Sequence, residues 1–312
     1  WHTILWKCRA YHALPGGVRG GGTPLGTFST VSRLTSILRP AMSVAFLISC
    51  EHAVNAVPPA HARLFTDAAL LTSHRGWDPG ALDTAKAWAS ALNAPLFAAS
   101  VTRLLCDCNR SPSNPSVWSS VTRALPPAEK NAILAAWHAP YRTAVGRSAA
   151  ELLQTHARVL HLAAHSFTPI LDGQRRNMDL GLLYDPSRPA EKSLAGAWRR
   201  ELRRILPELR VRLNAPYRGI SDGLPAALRK CLGEHYLGVE VEFNQALLEH
   251  GAFPALPVLQ ALTRALTFHE QKPGGGGGDL RLNGKLAYPA ETSAARFRTK
   301  VSPGDSHAQR PA

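Results

Sequence analysis

Val159-Leu-His161-Leu-Ala-Ala-His165-Ser-Phe-Thr-Pro169 is the stretch whose reading decides the fold. A short apolar run bounded by polar residues and a proline reads as a buried strand. The run delivers a histidine and a hydroxyl at its end, and ligands of open α/β sheets bind at the carboxyl ends of the strands. Two other apolar runs finish in the same manner. Val44-Ala-Phe-Leu-Ile-Ser49 leads into Cys50-Glu51-His52, and Leu104-Leu105-Cys106 leads into Asp107-Cys108-Asn109-Arg110. The expectation is that these three strand ends meet in one pocket.

Around that stretch, strands and helices alternate from Met42 to about residue 270. A first strand covers 43–50, and Pro58-Pro59 holds off any helix until about Ala60. Asp78 is expected to cap a helix that has Pro79 at its first position and runs from Ala81 to Leu92, stopped by Asn93-Ala-Pro95. Strands at 96–100 and 103–108 follow, then helices ending near His138 and over 141–157. After the 159–164 strand come a short strand near 179–185 and a basic helix from Ser193 to Leu206. The alternating segment Tyr236-Leu-Gly-Val-Glu240-Val-Glu242-Phe243 reads as a strand. Helices are expected over 244–250 and 255–268. Such alternation predicts an α/β fold: an open mixed, mostly parallel sheet with helices on both faces, phosphorylase/hydrolase-like.

This gives a single catalytic domain over 42–270, flanked by 1–41 and 271–312, both expected to be disordered. Residues 1–41 are Gly- and Arg-bearing with no acid, so a transit peptide is the alternative for them. Gly274–Gly278 is a flexible run. The formal charge is +14, of which +5 falls in 1–41 and +4 in 271–312. The central region keeps a modest excess and shows no basic-aromatic module, so no nucleic-acid partner is expected. No apolar run is long enough to cross a membrane, so no membrane association is expected. Five cysteines form neither an even framework nor a metal ribbon, and they read as reduced thiols of a cytoplasmic protein. An organellar location goes with the transit-peptide alternative. Nothing in the pattern specifies an oligomeric state.

Six pieces now stand in order: Cys50-Glu51-His52-Ala53, Asp78-Pro-Gly80-Ala81, Arg103-Leu-Leu-Cys-Asp107-Cys-Asn109-Arg110, His165-Ser-Phe-Thr-Pro169, Arg176-Asn-Met-Asp179-Leu-Gly181 and Gly238-Val-Glu240-Val-Glu242-Phe-Asn244-Gln245. Together they resemble the N-formylglutamate amidohydrolase family over roughly residues 43–250. The resemblance implies a zinc-dependent hydrolase with a fold similar to zinc carboxypeptidases and muramoyl amidases. It implies cleavage of an N-formyl or N-acyl amino acid, such as N-formylglutamate in histidine breakdown, to formate and the amino acid. A small-molecule N-acyl amino acid is then the expected partner.

A catalytic zinc takes about three protein ligands and leaves one position open. The resemblance implies His52 and His165 as two of them. Asp78 is the first choice for the third, with Glu51 as the alternative; the carboxypeptidase spacing H-x-x-E is absent, because Asn55 stands there. Glu242 is the candidate general base, with Glu240 on the same face of its strand. Asn109-Arg110 resembles the pair with which carboxypeptidase-like enzymes hold a substrate carboxylate, a job suited to a guanidinium fork. Arg176 is a second such candidate and Arg103 a third. His61, His74, His138, His156 and His161 read as hydrogen-bonding or core histidines. A non-catalytic binding relative of the same fold is the alternative function, and a basic nucleic-acid-binding protein is a third.

Overall fold

In the computed structural model, residues 43–268 are described. The expected extension 1–41 and Gly-rich tail 271–312 lie outside the described residues. The strands are β1 (Val44–Cys50), β2 (Leu96–Ala98), β3 (Arg158–Phe167), β4 (Ile170–Leu171), β5 (Gln174–Arg175), β6 (Leu180–Leu183), β7 (Val211–Leu213) and β8 (Tyr236–Asn244). The helices are α1 (Ala68–Thr72), α2 (Ala81–Leu92), α3 (Pro127–Ile133), α4 (Ala139–Thr155), α5 (Pro189–Ile205), α6 (Leu224–Leu232) and α7 (Ala255–Phe268). Six strands form one sheet in the order β2-β1-β3-β8-β6-β7. β2, β1, β3 and β8 run parallel, and β6 and β7 run opposite to them. The expected mixed, mostly parallel α/β sheet with helices on both faces is therefore what the chain forms.

The two faces differ in chemistry because successive residues of a strand point to opposite sides. Ile48, Leu160, Leu162, Val239, Val241 and Phe243 belong to one large apolar core with α2, α5 and α7. Trp88 and Trp198 are fully buried there, and their indole N–H groups donate to the backbone oxygens of Ala255 at 2.7 Å and Val258 at 2.9 Å. These bonds tie α2 and α5 to α7. The opposite face packs Ala45, Leu47, Val159 and Tyr236 against α4 and α6. That second core is smaller, and the rest of this face is polar: Ser49, Glu51, His161, His165, Glu240 and Glu242.

Several local outcomes differ from the sequence expectation. Residues 103–108 form turns rather than a strand. Leu105 and Cys106 instead fill a small separate core with Val101 and Ile133, so the apolar run is consumed by a loop that packs on its own. α3 and α4 are joined by a π-helical segment, Leu134–His138, in one continuous helical run. Pro140 lacks the N–H that a regular ladder would use there, and a π-turn absorbs the mismatch. β3 extends to Phe167, so His165 lies inside the strand rather than just beyond it. Gln245–His250 is a 3-10 turn rather than an α-helix.

Asp78 does not cap α2. Gly80 does, in the left-handed region at φ 78°, where an added Cβ would lie 2.6 Å from the Phe253 ring. A glycine is therefore demanded by both conformation and space. Shifting the cap two residues on frees the Asp78 carboxylate to face the strand ends.

Candidate active site

Three segments bring their polar ends together as expected. His52 follows β1, Asp107 sits in the 99–118 loop, and His165 lies near the end of β3. Asp78 stands between the two histidines, held by its backbone N–H donating to the His52 carbonyl at 3.0 Å. Its Oδ2 lies 3.2 Å from His52 Nδ1 and 2.9 Å from His165 Nδ1. One donor atom from each of His52, Asp78 and His165 lies within 4.8 Å of the others, and all three residues are buried.

The outer nitrogens of both rings are also committed to carboxylates. His52 Nε2 is hydrogen-bonded to Asp107 Oδ1 at 2.7 Å, whereas His165 Nε2 lies 3.0 Å from Glu51 Oε2 as an ion-pair contact outside hydrogen-bond geometry. A carboxylate only accepts, so each Nδ1 donates a hydrogen to Asp78 in this metal-free site, and His52 Nε2 donates one to Asp107. Glu51 thus contacts the far side of the His165 ring from Asp78. Tyr141 on α4 donates to Glu51 Oε1 at 3.2 Å. Arg103 donates to Asp107 Oδ2 at 2.9 Å and reaches Asp78 Oδ1 at 3.4 Å, so it ties the two carboxylates together.

The electrostatics form one balanced set. Burial pushes the Asp78 carboxyl up, but His52, His165 and Arg103 hold it well below the usual range. Burial likewise opposes ionisation of Asp107, which His52 and Arg103 overcome. Glu51 is raised by burial and then brought down to about 2 by His165, with help from His161 and Ser49. Burial works against protonation of both site histidines, yet the carboxylates around them raise His52 and raise His165 strongly. Three carboxylates therefore face two imidazolium rings and one guanidinium. A dication in place of the two Nδ1 protons would leave that balance unchanged. Two imidazoles and one carboxylate are ligand types found in three-residue zinc sites. The donor set fits a small divalent cation.

Glu242 is the odd member. It is the cross-strand neighbour of His165 in the β3–β8 register. Its side chain is buried and Oε2 has no hydrogen-bond partner. Burial, with Asp78 and Glu240 nearby, pushes its carboxyl up to about 7 against the pull of His165 and His52.

The expected carboxylate-binding residues divide. Asn109 donates to Glu240 Oε1 at 3.2 Å and accepts from the Leu224 N–H at 2.7 Å. Arg110 Nη1 donates to the carbonyls of Asp222 at 2.8 Å and Asn109 at 3.1 Å. This pair joins the 107–114 loop to the segment entering α6. Arg176 lies at the rim, after the β4–β5 hairpin that turns at Asp172-Gly173. Its guanidinium sits 5.4 Å from the Phe167 ring centre and 5.2 Å from that of Tyr217, and it donates to the Tyr217 hydroxyl at 3.2 Å. Tyr217 is exposed and also faces Arg103.

A family model for N-formylglutamate amidohydrolase matches residues 44–249. The chain belongs to the N-formylglutamate amidohydrolase family. Among solved structures it is similar to gene product Atu2144 from Agrobacterium tumefaciens, at 28% identity and a TM-score of 0.60, over 72% of this chain and 92% of that one. It shares its fold with N-formylglutamate amidohydrolase from Ralstonia eutropha JMP134, at 19% identity and a TM-score of 0.50, over 73% of this chain and 93% of that one. No curated protein matches. Membership of the N-formylglutamate amidohydrolase family makes the chain a hydrolase of that type, acting on a small molecule. Among the described residues no helix is long and apolar enough to cross a membrane.

Within this family frame, sequence reasoning missed Asp107, Tyr141 and the bridging role of Arg103. Asp107 and Arg103 stand four residues apart in the stretch Arg103–Arg110. Tyr141 carries no signal, because its helix reaches the site only through the tertiary packing of α4. His138 is a buried hydrogen-bonding residue, with Nε2 2.8 Å from the Arg110 carbonyl oxygen.

Proposed function

We propose that the chain hydrolyses the amide of an N-formyl amino acid, N-formylglutamate in the first instance, at a zinc site formed by His52, Asp78 and His165. The observation that supports this reading is the placement of the Nδ1 atoms of His52 and His165 at 3.2 and 2.9 Å from one Asp78 carboxylate oxygen, beside a buried Glu242 whose Oε2 has no hydrogen-bond partner. Asp107 and Glu51 orient the two rings from behind, as carboxylates commonly do for metal-binding histidines. Glu51 is therefore an orienting residue, and Asp78 the third ligand.

When bound, zinc supplies Lewis acidity toward an amide carbonyl and makes a nearby water easier to deprotonate. The chain's own groups do the rest. Glu242 Oε2 accepts the proton of the attacking water and hands it to the leaving nitrogen as the C–N bond breaks. Its value near 7 suits both directions. Arg176 and the unengaged N–H groups of Arg110 receive the substrate carboxylates, while Asn109 holds Glu240 and the loop between them.

The test is metal content and formate release from N-formylglutamate, on the full chain, for wild type and His165→Ala. About one zinc per chain with formate release, and loss of both in the variant, is the expected result. Zinc without turnover redirects the substrate to other N-acyl amino acids. Absence of both overturns the proposal and favours a binding relative of the fold.

A further inference from the structure

The helical run from Pro127 to Thr155 is regular except at Leu134–His138, where the Ala139 N–H bonds back to the Leu134 carbonyl. π-turns of this kind are frequent at functional sites. In a regular helix, residues five apart lie about 140° from one another around the axis. The wider turn brings Ile133 and His138 onto one side. Ile133 packs into the small core with Leu105 and Cys106. His138, one π-turn later, puts Nε2 2.8 Å from the Arg110 carbonyl oxygen. Arg142, four residues on and on the same face, donates from Nη1 to the Cys108 carbonyl at 2.8 Å. Both side chains are buried, where a guanidinium is costly to desolvate. A carbonyl only accepts, so both groups act as donors, and His138 carries its hydrogen on Nε2.

The segment they hold is the turn that serves the site. Within it the Arg110 N–H donates to the Asp107 carbonyl at 3.0 Å, and the Asn109 N–H donates to Asp107 Oδ1 at 2.9 Å. The same Oδ1 accepts from His52 Nε2 at 2.7 Å, and Oδ2 accepts from Arg103 at 2.9 Å. Two donors four residues apart on the helix thus meet two carbonyls two residues apart on the turn. The turn in turn holds the Asp107 carboxylate on His52. From α4 to the His52 ring, each step is a hydrogen bond or the short covalent turn itself.

We propose that the π-turn is a positioning element of the site: it sets His138 and Arg142 on the carbonyls of Arg110 and Cys108, fixes the turn that holds Asp107 against His52, and so sets the affinity for the divalent cation. His138 and Arg142 are positioning residues that act through Asp107. The inference rests on the metal reading above.

The test measures the zinc dissociation constant of the full chain by competition with a chromophoric chelator, beside the denaturation midpoint of the metal-free protein. The variants are Arg142→Met, His138→Leu, His138→Gln and Asp107→Asn, with Arg142→Met and His138→Leu made in the Asp107→Asn background as well. Loss of an orienting partner weakens metal binding about 10–100-fold, so that is expected for Asp107→Asn, and about threefold to tenfold for Arg142→Met and His138→Leu, which act one step further out. Glutamine keeps a side-chain N–H for the Arg110 carbonyl, so His138→Gln is expected to retain most of the affinity. Neither Arg142→Met nor His138→Leu should add to Asp107→Asn, since both effects pass through that carboxylate. The inference is overturned if either single variant lowers the denaturation midpoint but leaves zinc affinity unchanged, or costs as much affinity in the Asp107→Asn background. It is overturned equally if His138→Gln binds zinc as weakly as His138→Leu. If Arg142→Met fails to fold, the His138 comparisons still decide. A wild-type chain that binds no zinc would instead overturn the metal reading itself, and this inference with it.

Discussion

Replacing Glu242 by Gln should stabilise the metal-free protein while abolishing turnover. The carboxylate is buried, with Oε2 unpaired, and its pKa stands at about 7 against 4.5 for a free glutamate. The sign follows from proton linkage: the folded state holds the proton more tightly than the unfolded state. Below about pH 4.5 both states are protonated and no penalty exists. As pH rises through the window from 4.5 to 7, the unfolded state ionises first and stability falls. Above pH 7 the folded state carries a buried carboxylate. A shift of roughly 2.5 units at 1.36 kcal/mol each makes the full penalty about 3 kcal/mol. Near pH 8 nearly all of it applies, and near pH 5 less than about 1 kcal/mol does.

Glutamine is isosteric and cannot ionise, so it removes the penalty without opening a cavity. The assay is urea denaturation of chelator-treated wild type and Glu242→Gln at pH 5 and pH 8. A gain of about 3 kcal/mol at pH 8, or roughly 6–12 °C in Tm for a domain of this size, is expected, shrinking to under about 1 kcal/mol at pH 5. Equal gains at the two pH values, or a loss at pH 8, would refute the account of Glu242 as a carboxylate held against its own solvation. The trade of stability for a reactive group is common at active sites.

Other outcomes follow from the same geometry. Catalysis needs ionised Glu242, so kcat/KM should fall as pH drops below about 7, with the limb displaced toward acid by a bound cation; a flat profile down to pH 5 would exclude Glu242 as the base. Arg176→Ala should raise KM for N-formylglutamate by about tenfold or more with kcat largely kept, because a rim guanidinium binds ground state and transition state alike. Steady-state kinetics against an N-formyl amino acid amide, which lacks the carboxylates, should show little change. Trp88→Ala should cost about 3–5 kcal/mol by chemical denaturation, from lost burial and the lost bond to the Ala255 carbonyl. Arg103→Met should weaken zinc binding by an order of magnitude, since it releases both Asp78 and Asp107; unchanged affinity in a chelator competition would show that the carboxylates hold themselves in place.

Much of the fold was legible because its signals are local. Period-two alternation in Leu237–Phe243 gave β8 and the shared face of Glu240 and Glu242, and Asn93-Ala-Pro95 gave the end of α2. The apolar run Leu104-Leu105-Cys106 misled because periodicity cannot separate a buried strand from a loop that packs its own small core. The cap of α2 misled for a related reason: Asp and Gly both cap helices, and only the packing of Phe253 against Gly80 shows which does so here. The metal-type donors were legible through the resemblance. Their orienting partners were not, since Glu51, Asp107 and Tyr141 acquire their roles from contacts across 90 residues or more in one case and 55 in another.

The placement of the chemistry follows from the asymmetry of the sheet. α2, α5 and α7 cover one face of the sheet with a large apolar core. The other face carries only α4 and α6 over its lower part, so the carboxyl-end half is left for polar groups. Alternation then does the sorting. Ser49 on β1 and Glu51 just past its end, His161 and His165 on β3, and Glu240 and Glu242 on β8 all fall on that one side of three adjacent parallel strands. A slip of one residue in β8 would turn Glu240 and Glu242 into the dry core and Val241 into the site, at a cost of several kcal/mol per buried charge. The same force that builds the core thus fixes which carboxylate stands beside His165.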